Sequence, residues 1–101
     1  MATMTMLHIT GEMTIYRAAE LRELLLQALP QSSGQLDIDL SGVTELDVAG
    51  LQVLMAVKRE AQARQGDLHL MNHSPAVVDV FEILNVAAFF GDPLVIGESL
   101  A

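Results

Sequence analysis

The spacing of apolar residues changes along the chain, and each change marks an element. In TMLHIT, residues 5–10, Met6, Leu7 and Ile9 lie among Thr5, His8 and Thr10, a strand pattern without strict alternation. Gly11 signals a turn or bulge, and the EMTI that follows reads as a short hairpin return. In YRAAELRELLLQALP, Ala18, Leu21, Leu25 and Ala28 recur at three- and four-residue spacing while Glu20, Glu23 and Gln27 face away. That spacing predicts a helix, stopped by Pro30. After the loop QSSGQ, LDIDL at 36–40 alternates, with Leu36, Ile38 and Leu40 on one face and Asp37 and Asp39 on the other. SGVTELD reads as a connection. A second helix is predicted from near Val48 to about Gln65, with Gly66 just past its end. DLHLM at 67–71 is another alternating strand. NHSPAVVDVFEILN predicts a third helix, with Ser74 as its cap, Pro75 at its first position and Asn85 left-handed after it. VAAFFGDPLVI is a last, short strand region.

Strands alternating with helices across short loops predict an α/β domain built by crossovers. The expected sheet is mostly parallel, four- or five-stranded, made mixed by the early hairpin and accompanied by three or more helices. The 101 residues make one domain, residues 1–101, able to bury a core without metal or disulfide staples. Apolar residues make up 51% of the chain, too many for a disordered one. With no cysteine, disulfides and thiolate metal sites are excluded. The start MATMTMLHITGEM lacks the basic and apolar regions of a signal peptide, and no apolar run approaches the ~20 residues that span a bilayer. The expectation is a soluble, cytoplasmic protein with no direct membrane insertion.

Charge narrows the partners. The net charge is −8, from 13 acidic and 5 basic residues. Arg17, Arg22, Lys58, Arg59 and Arg64 are scattered over two helical segments, which argues against nucleic acid and against an anionic membrane surface. The acidity reads as solubility, with a basic partner surface as the functional alternative.

The most informative stretch is LDVAGLQVL, residues 46–54, where a strand gives way to a helix through the small residues Val48, Ala49 and Gly50. A helix start presents free N–H groups and partial positive charge. Asp47 is placed to cap those groups, and Ala49 and Gly50 let another backbone approach closely. At about 100° per residue, Gly50, Val53, Leu54, Val57 and Ala61 point to the core. Val48, Leu51 and Met55 share a flank with Lys58 and Gln62. An apolar strip with a polar rim suits a partner, and the alternative is that it packs under a neighbouring loop or helix.

The longer stretch DLSGVTELDVAGLQVL resembles the signature of the STAS family, the sulfate transporter and anti-sigma factor antagonist domains. Asp39, Ser41, Val43, Leu46, Asp47, Gly50 and Leu51 match its pattern, and NHSPAVVDVFEILNV is similar to its third helix. The resemblance spans about residues 4–90. It implies a non-catalytic partner-switching module, like an anti-sigma factor antagonist, that binds a serine-kinase-type switch protein or a signalling kinase. Two features depart from the family. Its regulated members are phosphorylated on the hydroxyl residue before the glycine, which here is Ala49, and the preceding residue is Val48. The family also ends on a further amphipathic helix, for which GDPLVIGESLA leaves little more than a turn. The expected partner contacts are Asp39, Ser41, Val48, Ala49, Gly50, Leu51, Gln52 and Met55, with Asp47 as helix cap and Ala49 at the phosphosite-equivalent position. The resemblance also admits a different role, as a small accessory subunit bound to the ATPase of a bacterial phospholipid ABC transporter. A homodimer is left open.

Other chemistry finds little support. Asp39 and Asp47 could be paired carboxylates or Mg²⁺ ligands, but no third ligand or nucleophile is spaced with them, and a loop residue and a cap account for them. His8, His69 and His73 are too dispersed for zinc. No Gly-x-Ser-x-Gly elbow and no phosphate loop is present. No catalytic residue, cofactor or metal is therefore expected. Ser41 and Thr44 are the nearest hydroxyls to the junction and the weaker candidates for modification.

Overall fold

The computed structural model describes residues 4–29, 34–84 and 89. Its elements are β1 (Met4–Met13), α1 (Ala18–Ala28), β2 (Gln35–Leu46), α2 (Val48–Ala63), β3 (Asp67–Met71) and α3 (Pro75–Leu84). The three strands form one sheet in the order β1-β2-β3, and both pairings are parallel. The α/β reading with three helices holds. The last strand region expected, in residues 86–96, lies outside the described residues apart from Phe89, as does Asn85.

The early hairpin does not form. Gly11, at φ 84°, bends the strand without reversing it, and β1 runs on to pair Met13 with Leu46. Continuing forward buries Met13 completely, which a return strand would forgo. Among the described residues the sheet is therefore parallel rather than mixed.

SGVTELD is also not a connection but the second half of β2. Two steps of β1, His8 to Thr10, face three of β2, Asp39 to Gly42, and one further step, Gly11 to Glu12, faces two, Val43 to Glu45. These two bulges stretch the inward positions to Leu40, Val43 and Leu46, a spacing of three that hides a strand from a period-two reading.

The register aligns one sheet face as Leu7, Ile38 and Leu70, with Leu36 against Leu68. That face joins Leu21 and Leu25 of α1, Leu54 and Val57 of α2, and Val77 and Phe81 of α3 in a single core. The other face carries Met6, His8, Asp37, Asp39, His69 and Met71. α1 ends before Leu29, whose extended backbone (φ −64°, ψ 134°) is what a following proline imposes. α3 is capped as expected, with the Val77 N–H donating to Ser74 Oγ at 3.3 Å. After α2 the left-handed residue is Gln65 (φ 62°), not Gly66. Gly66 is small for another reason, since a Cβ there would overlap the carbonyl oxygen of Gly34.

Candidate protein-docking site

The start of α2 is held from three directions by Asp47 and Gly50. Asp47 has an extended backbone, and its Oδ1 accepts from the Gly50 N–H at 2.9 Å, an N-terminal cap. Its Oδ2 accepts from the Ile15 N–H, also at 2.9 Å, which ties the β1–α1 turn to the helix start. The Gly50 bond first, and then the Ile15 bond, hold the Asp47 carboxyl below its usual pKa of 3.8. The Asp47 N–H donates to Met13 O at 3.2 Å. A Cβ at Gly50 would overlap that same Met13 carbonyl, so the glycine lets α2 rest directly on the end of β1.

This clamp leaves apolar side chains in solvent. Val48 is 58% exposed, Ile15 68% and Tyr16 90%. Ala49 is half-buried beside exposed Gln52. On one side of the helix start, an open groove of about 320 Å³ is lined by Ala18, Ala19, Arg22, Ala49, Gln52, Val53 and Ala56. On the other, a groove of about 260 Å³ runs between Val48 and the second half of α3.

The eight expected contact residues do not lie together. Val48, Ala49 and Gln52 share the helix start, and Gly50 lies beneath them. Leu51 is 4% exposed and belongs to the core. Met55 is half-buried against that core. The flank read as a docking strip is therefore split, and its polar rim is interrupted too. Lys58, 4% exposed, turns inward and donates from Nζ to Asp67 Oδ1 at 2.9 Å and to Leu68 O at 2.8 Å. Helical angle alone misses this because β3 passes on that side of α2. Burial disfavours ionised Asp67, but the Lys58 ammonium and the Leu68 N–H outweigh it and leave its carboxyl below the ordinary range.

Asp39 and Ser41 lie elsewhere. Asp39 faces His8 in the sheet and Leu46 faces Met13. Those β1 positions are five residues apart, about 16 Å of strand. Asp39 is buried and engaged: Oδ1 accepts from the Ser41 hydroxyl at 2.6 Å and the Ser41 N–H at 2.8 Å, and Oδ2 from Asn72 Nδ2 at 2.9 Å. The Ser41 hydroxyl is the main reason its carboxyl stays below the usual value despite burial. His8 Nδ1 is 3.5 Å from Oδ2. The cluster ties β1, β2 and the turn after β3 together. Among the described residues no group of three or more His, Asp or Glu side chains could hold a metal ion, and no helix is long and apolar enough to cross a membrane.

The sequence reading missed Ile15, Tyr16, Val80, Ile83 and Leu84. A signal for the last three was present. α3 has only Asp79 and Glu82 as charged residues, so its apolar character runs most of the way round. A helix like that is either fully enclosed or shows an apolar side.

A family profile described as "Mlab, STAS domain" matches residues 2–96. The chain belongs to the STAS family. STAS domains are generally non-catalytic modules that bind proteins. Among solved structures, the anti-sigma factor antagonist SpoIIAA in its unphosphorylated form is similar at a TM-score of 0.69 and 22% identity, covering 92% of this chain and 84% of its own. The STAS domain of a SulP transporter from Vibrio cholerae is similar at a TM-score of 0.66 and 14% identity, covering 90% of this chain and 73% of its own. At these identities the likeness is one of fold. No match was found among curated proteins.

Proposed function

We propose that this STAS domain is a cytoplasmic, non-catalytic partner-switching regulator in bacterial signalling, similar to an anti-sigma factor antagonist. Its partner, a serine-kinase-type switch protein or signalling kinase, docks on the start of α2. The observation that carries this reading is the apolar, exposed helix start, with Val48 58% exposed next to half-buried Ala49, held by the two hydrogen bonds to Asp47. The usual switch is a phosphate meeting the field of the helix N-terminus. Neither Val48 nor Ala49 has an oxygen to carry one, and the Asp47 carboxylate already occupies the Gly50 N–H. The site is therefore held in its unmodified, binding-ready state. Asp39 and Ser41 support the scaffold, and Leu51 supports the helix from within.

The absence of a hydroxyl at positions 48 and 49 also favours a second reading, in which the same surface sits permanently on the ATPase of a phospholipid ABC transporter. Binding of purified candidates separates the two readings, and Ala49→Glu tests the site in either. A carboxylate forced into the docked contact costs about 2 kcal/mol or more, about thirtyfold in Kd. Unchanged affinity for the cognate partner would place docking elsewhere. Incubation with a serine kinase and ATP leaves the mass unchanged, and an added phosphate on Ser41 or Thr44 would remove the single-state claim.

A further inference from the structure

The groove on the α3 side of the junction is lined by Leu46, Asp47, Val48, Val80, Ile83 and Leu84. Ile83 is 80% exposed, Val48 58% and Leu84 45%. Scattered exposed apolar side chains are ordinary, but several lining one concavity mark a contact surface.

Charge identifies what fits there. None of the chain's five cations lines this groove. Arg17 donates to the carbonyls of Thr10 and Glu12 and pairs with Glu20. Lys58 is buried on Asp67, Arg64 pairs with Glu60, and Arg59 lies over the Phe89 ring at 5.2 Å. Arg22 lines the opposite groove. The charged groups at this groove are acidic: Asp47 in its wall, and Asp79 one helical turn before Ile83 on the same side of α3. The chain's own residues 85–101 contain Asp92 and Glu98 and neither Lys nor Arg, so their charge is wrong for this rim. A second copy, at a net charge of −8, is wrong for the same reason.

We propose that this groove receives a basic amphipathic helix of the partner protein. Its apolar side chains, spaced i, i+3 or i+4, lie between Val48 and Ile83, and its Lys and Arg residues meet Asp47 and Asp79. The proposal rests on the docking function above and adds the chemistry of the segment that docks.

The test uses the full chain and two labelled 18-residue helical peptides with the same leucine stripe, one with Lys on its polar face and one with Glu. Fluorescence anisotropy is expected to show binding of the Lys peptide at least tenfold tighter than the Glu peptide, weakening between 50 and 300 mM salt. Ile83→Asp decides whether the groove or mere charge is responsible. Added negative charge strengthens a purely electrostatic association, whereas the groove predicts at least tenfold weaker binding with an unchanged melting curve. Equal affinity for the two peptides, or Lys-peptide binding unchanged or tightened by Ile83→Asp, overturns the proposal. So does a peptide of residues 85–101 that binds in trans and is lost with Ile83→Asp, or concentration-dependent self-association abolished by the same variant. If Ala49→Glu weakens the cognate partner and Ile83→Asp does not, docking at the helix start stands and this groove falls. If Ile83→Asp weakens both the Lys peptide and the partner while Ala49→Glu changes neither, the groove stands and the helix-start site falls.

Discussion

Replacing Gly50 with alanine sets two physical effects against each other. In an unencumbered helix, glycine to alanine stabilises by about 1 kcal/mol. Here the new Cβ would overlap Met13 O, lie 2.7 Å from the Met13 carbonyl carbon and 3.0 Å from Leu46 Cδ1. Ordinary carbon contacts are about 3.5–4.0 Å, so α2 must withdraw from β1 by about 1 Å. Overpacking of this kind costs about 1–3 kcal/mol. The withdrawal also weakens the 3.2 Å bond from the Asp47 N–H to Met13 O, worth about 1 kcal/mol. Offset by the gain in helix propensity, the net effect is destabilisation by about 2 kcal/mol. For a domain of about 100 residues that lowers the melting temperature by about 10 °C. Circular dichroism melting and urea denaturation both read the change. A melting temperature equal to or above that of the parent would refute the reasoning, because it would mean α2 does not rest on the Met13 carbonyl.

Leu51→Arg is expected to collapse the melting transition, since Leu51 is core. Val48→Asp is expected to leave melting unchanged and weaken partner binding at least tenfold, read by titration calorimetry. Lys58→Met leaves Leu68 O without its donor and is expected to cost about 2 kcal/mol in urea denaturation, more than Asp67→Asn, whose side chain is 43% exposed. Asp39, Asp47 and Asp67 all have folded pKa values below 3.8. Folding therefore releases protons near that value, so the stability these groups contribute is fully present above about pH 5 and is lost as pH falls below about 4. Melting followed from pH 7 to pH 3 should show that profile, and Asp39→Asn should be less stable than the parent at pH 7 and lose less on acidification.

Much of the fold was legible because local signals agreed. The stripe of Leu21 and Leu25, the Ser74-Pro75 helix start and the Asp47 cap each appear where their chemistry placed them. The reading failed where one strand constrains its neighbour. The two bulges of β2 are set by pairing with β1, and no period in SGVTELD alone reveals them. Lys58 looked like a surface charge because its partner, Asp67, lies on the next strand and not on the same helix. At the candidate site, Val48, Ala49 and Gln52 were expected together from the family resemblance, and the structure places them side by side at the start of α2. Ile15 and Tyr16 were not, because only the long-range bond from Ile15 to Asp47 brings their turn to the helix start. Asp39 and Ser41 were grouped with the junction because both belong to the family signature, yet the rest of β2 carries them away from it.

The most direct measurement is amide chemical-shift mapping of the labelled chain as its purified protein partner is added. Perturbations centred on Ile15, Tyr16, Val48, Ala49 and Gln52, with little change at His8, Asp39 and His69, are the predicted result. Shifts confined to the far sheet face around His8, Asp39 and His69, with the start of α2 silent, would contradict it.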